Sequence, residues 1–495
     1  MSAAASLVVA AALAGCGTTT YFEGRQLPPS GLKNRVLIAI QNPSSFTSGT
    51  LQFVDAYYDI RYKYNSTNTA PAFTIAGFSA NLPISIQNMP EELSGGVYGS
   101  GDGSYTLVNY STENASGGSV SGLNGLSSSV FMTRSESFVF AASQKSAVLT
   151  VVNRGGGSSY PLGLPGVYRV SVNPGGSMAL AFVQNSNYAY YPRQLTSAQG
   201  VSFSGGPSTW PKAAVDCQPQ SLPAWCLFQA QSPDNVDATG NYYGAPLVFD
   251  RPVKALFSAD GGTAYVLNCG PECGGTTASI SILPVAPLIF TLGQQSGLLP
   301  CNPTLPASPC SNTHTTPITN ILIPGGASNA LVDSSIMYVV GQKPQLVAGQ
   351  TLFTGNLTVV NLANKAVSTS VSISDGAPGA VSRMIEADDN TLWIGMTKCT
   401  NGVRAATSQA YGCLTMVNIA TPTSPTATLL PYIGDATGIA AVTGLHKVYT
   451  AENGQVYIYS TVNGQAFDNQ YVTVQGTAYD VAYMDGINDT NNTVY

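Results

Sequence analysis

Charge is what this chain has least of. Asp, Glu, Lys and Arg make up 9% of its 495 residues, against roughly a quarter in ordinary soluble domains, and its net charge is −6. Hydroxyls and amides must solvate such a surface. With no basic cluster it cannot neutralise a phosphate backbone, which excludes nucleic acid as a partner. Histidine is almost missing: His314 stands in a polar loop and His446 in an expected hairpin turn, and both read as surface residues. Nucleophilic catalysis usually takes a histidine base, and the G-x-S-x-G elbow, the H-E-x-x-H pair and the Walker loop are absent too. No segment keeps a 3.6-residue apolar period for three turns, because Gly and Pro interrupt the candidates; this excludes a helical body. Beyond the N-terminus no apolar run approaches the roughly 20 residues that cross a bilayer.

At the N-terminus, an uncharged apolar run beginning near Ser6 closes with Leu13-Ala14-Gly15-Cys16. Small residues directly before a cysteine read as a bacterial lipoprotein signal, in which the thiol takes diacylglycerol and the freed amine a third acyl chain. The run is too short to span a bilayer and lies where a processed segment should. Such signals normally open with Lys or Arg, whereas the first basic residue here is Arg25. The expectation is a signal peptide over 1–15, a lipid on Cys16, a small, polar, Pro-containing tether over 16–34 and a folded body over 35–495. The membrane is then a partner through lipid. Gly17 in place of aspartate resembles the outer-membrane sorting rule of enteric bacteria, so the expected location is the cell envelope, at the outer membrane.

Nine cysteines remain to be placed. With Cys16 set aside, the other eight fall into near neighbours: Cys217 with Cys226, Cys269 with Cys273, Cys301 with Cys310, and Cys399 with Cys413. An even number, each with one close partner, fits disulfides formed outside the cytoplasm. Metal binding is the rival reading, but no C-x-x-C pair occurs and neither histidine has ligand-like spacing to a cysteine.

Gly (51) and Tyr (26) fill the space that charge leaves, and they recur in a pattern. The stretch 253–268 joins two alternating runs through Asp260-Gly261, as a hairpin does. A third strand ending in Asn returns as 105–109, 148–153, 357–361 and 414–418. A unit of antiparallel strands that cannot bury its own faces, repeated every roughly 40 to 85 residues, is the sequence form of a β-propeller blade. First strands near Ile84, Val130, Val170, Val253, Ala330, Arg383, Ile439 and Val481 predict an all-β propeller of about eight blades, seven being the alternative. The runs 36–40 and 51–55 lack a first strand before them, and 478–484 is a first strand with nothing after it. Pairing the two ends would complete one blade and hide its edges.

Tyr265-Val266-Leu267-Asn268 after Asp260-Gly261, Tyr338-Val339-Val340, and Tyr449-Thr450-Ala451-Glu452-Asn453 resemble the YVTN-type propellers, the lactonase-like and surface-layer group. That group includes binding proteins, scaffolds and a few enzymes, so the resemblance implies a fold more than a chemistry.

For recognition, the region 187–249 stands out as a long insertion containing Cys217 and Cys226 and the rings Tyr188, Tyr190, Tyr191, Trp210, Trp225, Tyr242 and Tyr243. Tyr and Trp suit partner surfaces and sugar faces; the other reading is that these rings cover the blade below them. A second insertion near 290–320 has little aromatic content and spans a gap. Glu91-Glu92, Asp388-Asp389 and Glu386 fall at hairpin turns, where carboxylates suit turn geometry. Arg383 and Arg134 are either channel-facing or exposed. No cofactor and no catalytic residue is expected. The reading is a lipid-anchored binding or scaffold protein for a protein or glycan partner; the alternative is a metal-dependent lactonase-like hydrolase with its site at the central channel.

Overall fold

Seven of the eight blades begin with a hairpin whose turn holds a residue in the left-handed region. Glycine meets the requirement at Gly176 and Gly261 (φ 67° and 70°), while Glu136, Ser334, Asp389 and His446 adopt it at φ 54–60° in other blades. Asp260 closes its turn by accepting the Gly262 N–H at 3.0 Å. The computed structural model describes residues 26–487 apart from 43–48, 62–71, 121–122, 124–125, 197–209, 211–213, 220–221, 232–234, 237–241, 244, 286–317, 348, 374–380, 400–410 and 431–433. The Cys16 signal, most of the tether and most of the 290–320 insertion, with Cys301 and Cys310, therefore lie outside the described residues.

Eight antiparallel sheets make the ring, and among the described residues there is no α-helix. Their innermost strands are Thr477–Tyr483 (blade 1), Pro83–Met89 (blade 2), Ser129–Met132 (blade 3), Val167–Val172 (blade 4), Pro252–Phe257 (blade 5), Asn329–Asp333 (blade 6), Val381–Ala387 (blade 7) and Ala436–Val442 (blade 8). Every one of the eight expected first strands is innermost in its blade. The Asn-ending strands Ser104–Asn109, Val148–Asn153, Gln350–Asn361 and Tyr411–Asn418 are third from the axis in blades 2, 3, 6 and 7.

Between neighbouring blades lie eight apolar clusters, one for each interface, which closes the ring energetically. Strand alternation sends successive side chains to opposite interfaces: on Lys447–Glu452, Val448 joins the cluster with blade 7 and Tyr449 the cluster with blade 1.

The chain ends meet as their patterns predict. Arg35–Gln41 pairs with the C-terminal strand, Val36 opposite Tyr483 and Ile38 opposite Val481, and with Gly49–Asp55 on its other side. A buried ionic clasp locks the seam. Arg35, 2% exposed, donates from Nη2 to Asp485 at 2.7 Å and from Nη1 to Glu113 of blade 2 at 2.9 Å.

Blade 4 departs from the common plan. Ala189–Leu195 is its third strand, and the 187–249 region then adds the hairpin Ala214–Gln218 and Ala224–Gln229, with the later strand inside the earlier one. Cys217 and Cys226 face each other across that hairpin and are bonded.

Candidate functional site

The innermost strands share a local defect. In six of them the register to the second strand slips by one residue near the strand start, and the residue after the slip is Ser85, Arg169, Lys254, Arg383, Gly438 or Asp480. In blades 3 and 6 the strand begins at the equivalent residues, Ser129 and Asn329, each preceded by a serine whose N–H bonds the carbonyl opposite at 2.9 Å. Bulges re-aim side chains and gather near functional sites. The six slips and the two strand starts set one residue per blade around the channel, in blade order Asp480, Ser85, Ser129, Arg169, Lys254, Asn329, Arg383 and Gly438. None of these is apolar. Three of the chain's 19 Lys and Arg stand on this single ring.

Contacts between blades that are not neighbours place these groups at the axis. Arg383 Nη2 in blade 7 donates to Asp480 Oδ2 in blade 1 at 2.9 Å, passing blade 8. Glycine at 438 allows this, since a Cβ there would come within 2.5 Å of Asp480 Oδ1. Arg169 Nη1 in blade 4 reaches the Ser328 carbonyl of blade 6 at 3.3 Å. Asp480 also accepts the Ile86 and Val481 N–H groups at 2.8 and 3.0 Å. Burial raises its pKa, and Arg383 works against that rise.

Lys254 is the unusual member. It is 8% exposed, and its Nζ donates to Asn329 Oδ1 at 2.7 Å, an oxygen that also accepts the Ala330 N–H at 2.9 Å. Burial pushes its ammonium down to about 7, and the fields of Arg169 and Arg383 add to the shift. Among the described residues neither Lys254 nor Arg169 has a carboxylate at ion-pair distance. A buried cation lacking a carboxylate costs stability. Perturbed groups of this kind concentrate where ligands bind.

Glu272 lies near this arc. It belongs to the short 3-10 turn Gly270–Cys273, which the Cys269–Cys273 disulfide ties down, and it accepts the Gln342 N–H at 2.9 Å. Burial pushes its carboxyl up to about 7, while the field of Arg169 opposes the rise.

The expected recognition rings are dispersed. Tyr191 is buried and stacks on Phe228 at 5.5 Å toward blade 5. Trp225 is buried toward blade 3, edge-on to Phe138 and Phe140 at 5.2 and 6.0 Å. Trp210 packs half-buried beside the Tyr191 cluster. Tyr188 is exposed and Tyr190 half-buried. Tyr242–Tyr243 forms a two-residue strand opposite Asn235–Val236, and its side chains lie outside the described residues. Cys413 is disulfide-bonded; Cys399, on the neighbouring strand, pairs in register with Tyr411, which lies two residues before Cys413.

The charged turns are tied at the surface. Arg134 pairs with Glu91 at 2.6 Å and Glu92 at 3.4 Å. His446, exposed, meets Asp389 at 2.8 Å, and its N–H bonds Asp388 at 3.0 Å, which joins the hairpins of blades 7 and 8. Glu386, expected at a turn, lies instead inside the innermost strand Val381–Ala387 opposite Leu392, and burial there pushes its carboxyl up to about 7. His314 lies outside the described residues. Among those described, no three His, Cys, Asp or Glu side chains are grouped to hold a metal ion.

Of the ring, the sequence pointed only to Arg383. The missed signal was positional: with the eight first strands aligned, the residue that starts the ordered pairing is polar or glycine in every copy.

No family model matches the chain, and no curated protein matches it. Solved structures do resemble it. Hydrazine synthase from Kuenenia stuttgartiensis aligns at 13% identity over 81% of this chain and 100% of its own, with a TM-score of 0.44. Dihydro-heme d1 dehydrogenase aligns at 9% identity over 93% and 79%, with a TM-score of 0.45. A proposed 6-phosphogluconolactonase from Bacteroides uniformis aligns at 10% identity over 91% and 99%, with a TM-score of 0.43. At such scores these likenesses carry no argument about this chain, whose fold rests on its own strand pairing.

Proposed function

We propose that this chain is a lipid-anchored β-propeller of the bacterial cell envelope, of YVTN type, that binds a protein or glycan partner and does not transform it. The observation that carries the reading is the channel ring: eight blades place a polar residue or glycine at one position, three of them cations, with Lys254 buried there at a cost to stability. Such an array recognises a polar group, and its fixed donors need no nucleophile to do so. The Cys217–Cys226 and Cys269–Cys273 bridges support an oxidising compartment. Acylation of Cys16, with the tether over 16–34, holds the ring at the outer membrane.

Detergent phase partitioning of the parent and of Cys16→Ser tests the anchor. The parent should enter the detergent phase and the variant should not; equal partitioning would place the anchor elsewhere. Thermal melting against glycans and neutral, cationic and anionic solutes tests recognition. A true ligand at a hundredfold excess over its Kd stabilises by about 2.7 kcal/mol, and Arg169→Gln should abolish that gain. Steady conversion of any such solute would replace binding with catalysis.

A further inference from the structure

We infer that the arc from Arg169 through Lys254 to Asn329 is a binding site for a small oxyanion, a carboxylate or a phosphate, which enters the channel and sits between the guanidinium and the ammonium. This rests on the binding role proposed above and names its ligand chemistry.

Three features argue for an anion. First, a chain of net charge −6 turns positive at its axis: the ring holds three cations and one carboxylate, and Arg383 already engages that carboxylate. Second, the remaining two cations lean on neutral oxygens, Arg169 on the Ser328 carbonyl and Lys254 on Asn329. Neutral acceptors leave each positive charge uncompensated, and an oxyanion would offer both a charge-assisted hydrogen bond. Third, the cations are set by backbone defects in rigid innermost strands, so they are held in place before any ligand arrives, which lowers the ordering cost of binding.

Polarity of the site should follow pH. Arg169 and Arg383 act on Lys254, Asp480 pairs with Arg383, and Glu272 lies near Arg169. As pH rises through about 7, Lys254 loses its proton and Glu272 loses the one that kept it neutral. Both changes remove positive potential from the arc, so affinity for an anion should fall.

The test is calorimetric titration of the purified full-length protein in detergent with inorganic phosphate and, separately, succinate, at constant ionic strength with chloride as the control anion. One arm gives the phosphate affinity and the other the carboxylate affinity. At pH 6, at least one should bind with an affinity that drops tenfold or more by pH 8.5. Lys254→Met and Arg169→Gln should each weaken it at least tenfold. Lys254→Arg combined with Glu272→Gln should keep the binding and flatten its pH dependence, a result that a merely folded-state role for these residues would not give. Binding no stronger than that of chloride, or parental affinity in variants that melt like the parent, would overturn the site. If neutral sugars still stabilise the parent but not Arg169→Gln, the oxyanion falls and the binding role survives. If no solute of any charge binds, both fall.

Discussion

Glu452 shows how this chain uses single charges. It is 1% exposed, accepts the hydroxyls of Thr450 and Tyr459, and has its carboxyl pushed up to about 7 by burial. Its folded pKa lies above its ordinary value of 4.5, so the native state keeps a proton that the unfolded chain has already released. Stability is therefore full at low pH and falls as pH rises from about 4.5 to 7. Glu272 and Glu386 act in the same direction. Lys254 acts oppositely and over a higher window: its pKa is depressed from 10.5 to about 7, so its contribution grows between those values. Melting temperature should thus decline from pH 5 to pH 7.5. Glu452→Gln, which keeps the shape and loses the titration, should flatten that decline and raise the pH 7.5 midpoint by a few degrees. An unchanged slope in the variant would mean that the carboxyl is ionised without cost.

Within a blade, small residues make room for polar ties to the next blade. Gly95 and Gly96 lie under the rings of Tyr110 and Tyr105, and a Cβ on Gly96 would come within 1.7 Å of Tyr105 Oη. That space lets Tyr105 donate to Gln87 at 2.9 Å, and Gln87 in turn bonds both the carbonyl and the N–H of Met132 in blade 3 at 2.7 Å. Tyr110 donates to Asn88 at 2.6 Å, and Asn88 bonds the Tyr483 carbonyl of blade 1 at 2.7 Å. Blade 2 is thereby tied to both neighbours. Gly96→Ala should cost about 1–3 kcal/mol through overpacking and release the Gln87 tie, measured as a lower denaturant midpoint with an unchanged slope. A parental midpoint would show that the Tyr105 ring can move aside freely. The same scale explains the aromatics of 187–249. Alternation on Ala189–Leu195 and Ala224–Gln229 turns Tyr191 toward one blade interface and Trp225 toward the other. Abundant Tyr and Trp fit a recognition loop and a packed interface equally well in sequence; which one they form depends on the strand partner.

At the scale of the whole ring, stability is shared by the seam. Deleting 478–495 removes the innermost strand of blade 1, exposes the edge of Arg35–Gln41, and strips the Arg35 clasp of Asp485. Leaving Arg35 buried without Asp485 costs about 3–5 kcal/mol in comparable buried pairs, and the open edges template association. The truncated chain should aggregate and lose its cooperative melt; melting at the parental temperature would mean that the ring closes without its seam. The seam was legible because an unpaired first strand and an incomplete blade are local patterns found at opposite ends of one sequence. So were the eight first strands, since turn residues and alternation act over a few neighbours. What the sequence determined by itself was the all-β repeat, a count of about eight blades that the strand pairing then settled over seven, and the Cys217–Cys226 and Cys269–Cys273 pairs, all of which follow from short-range spacing. What only the tertiary structure decided was the channel. Arg169, Lys254, Asn329 and Arg383 are scattered along the chain among ordinary polar residues, and their fields combine only when circular closure brings four strand starts to one axis.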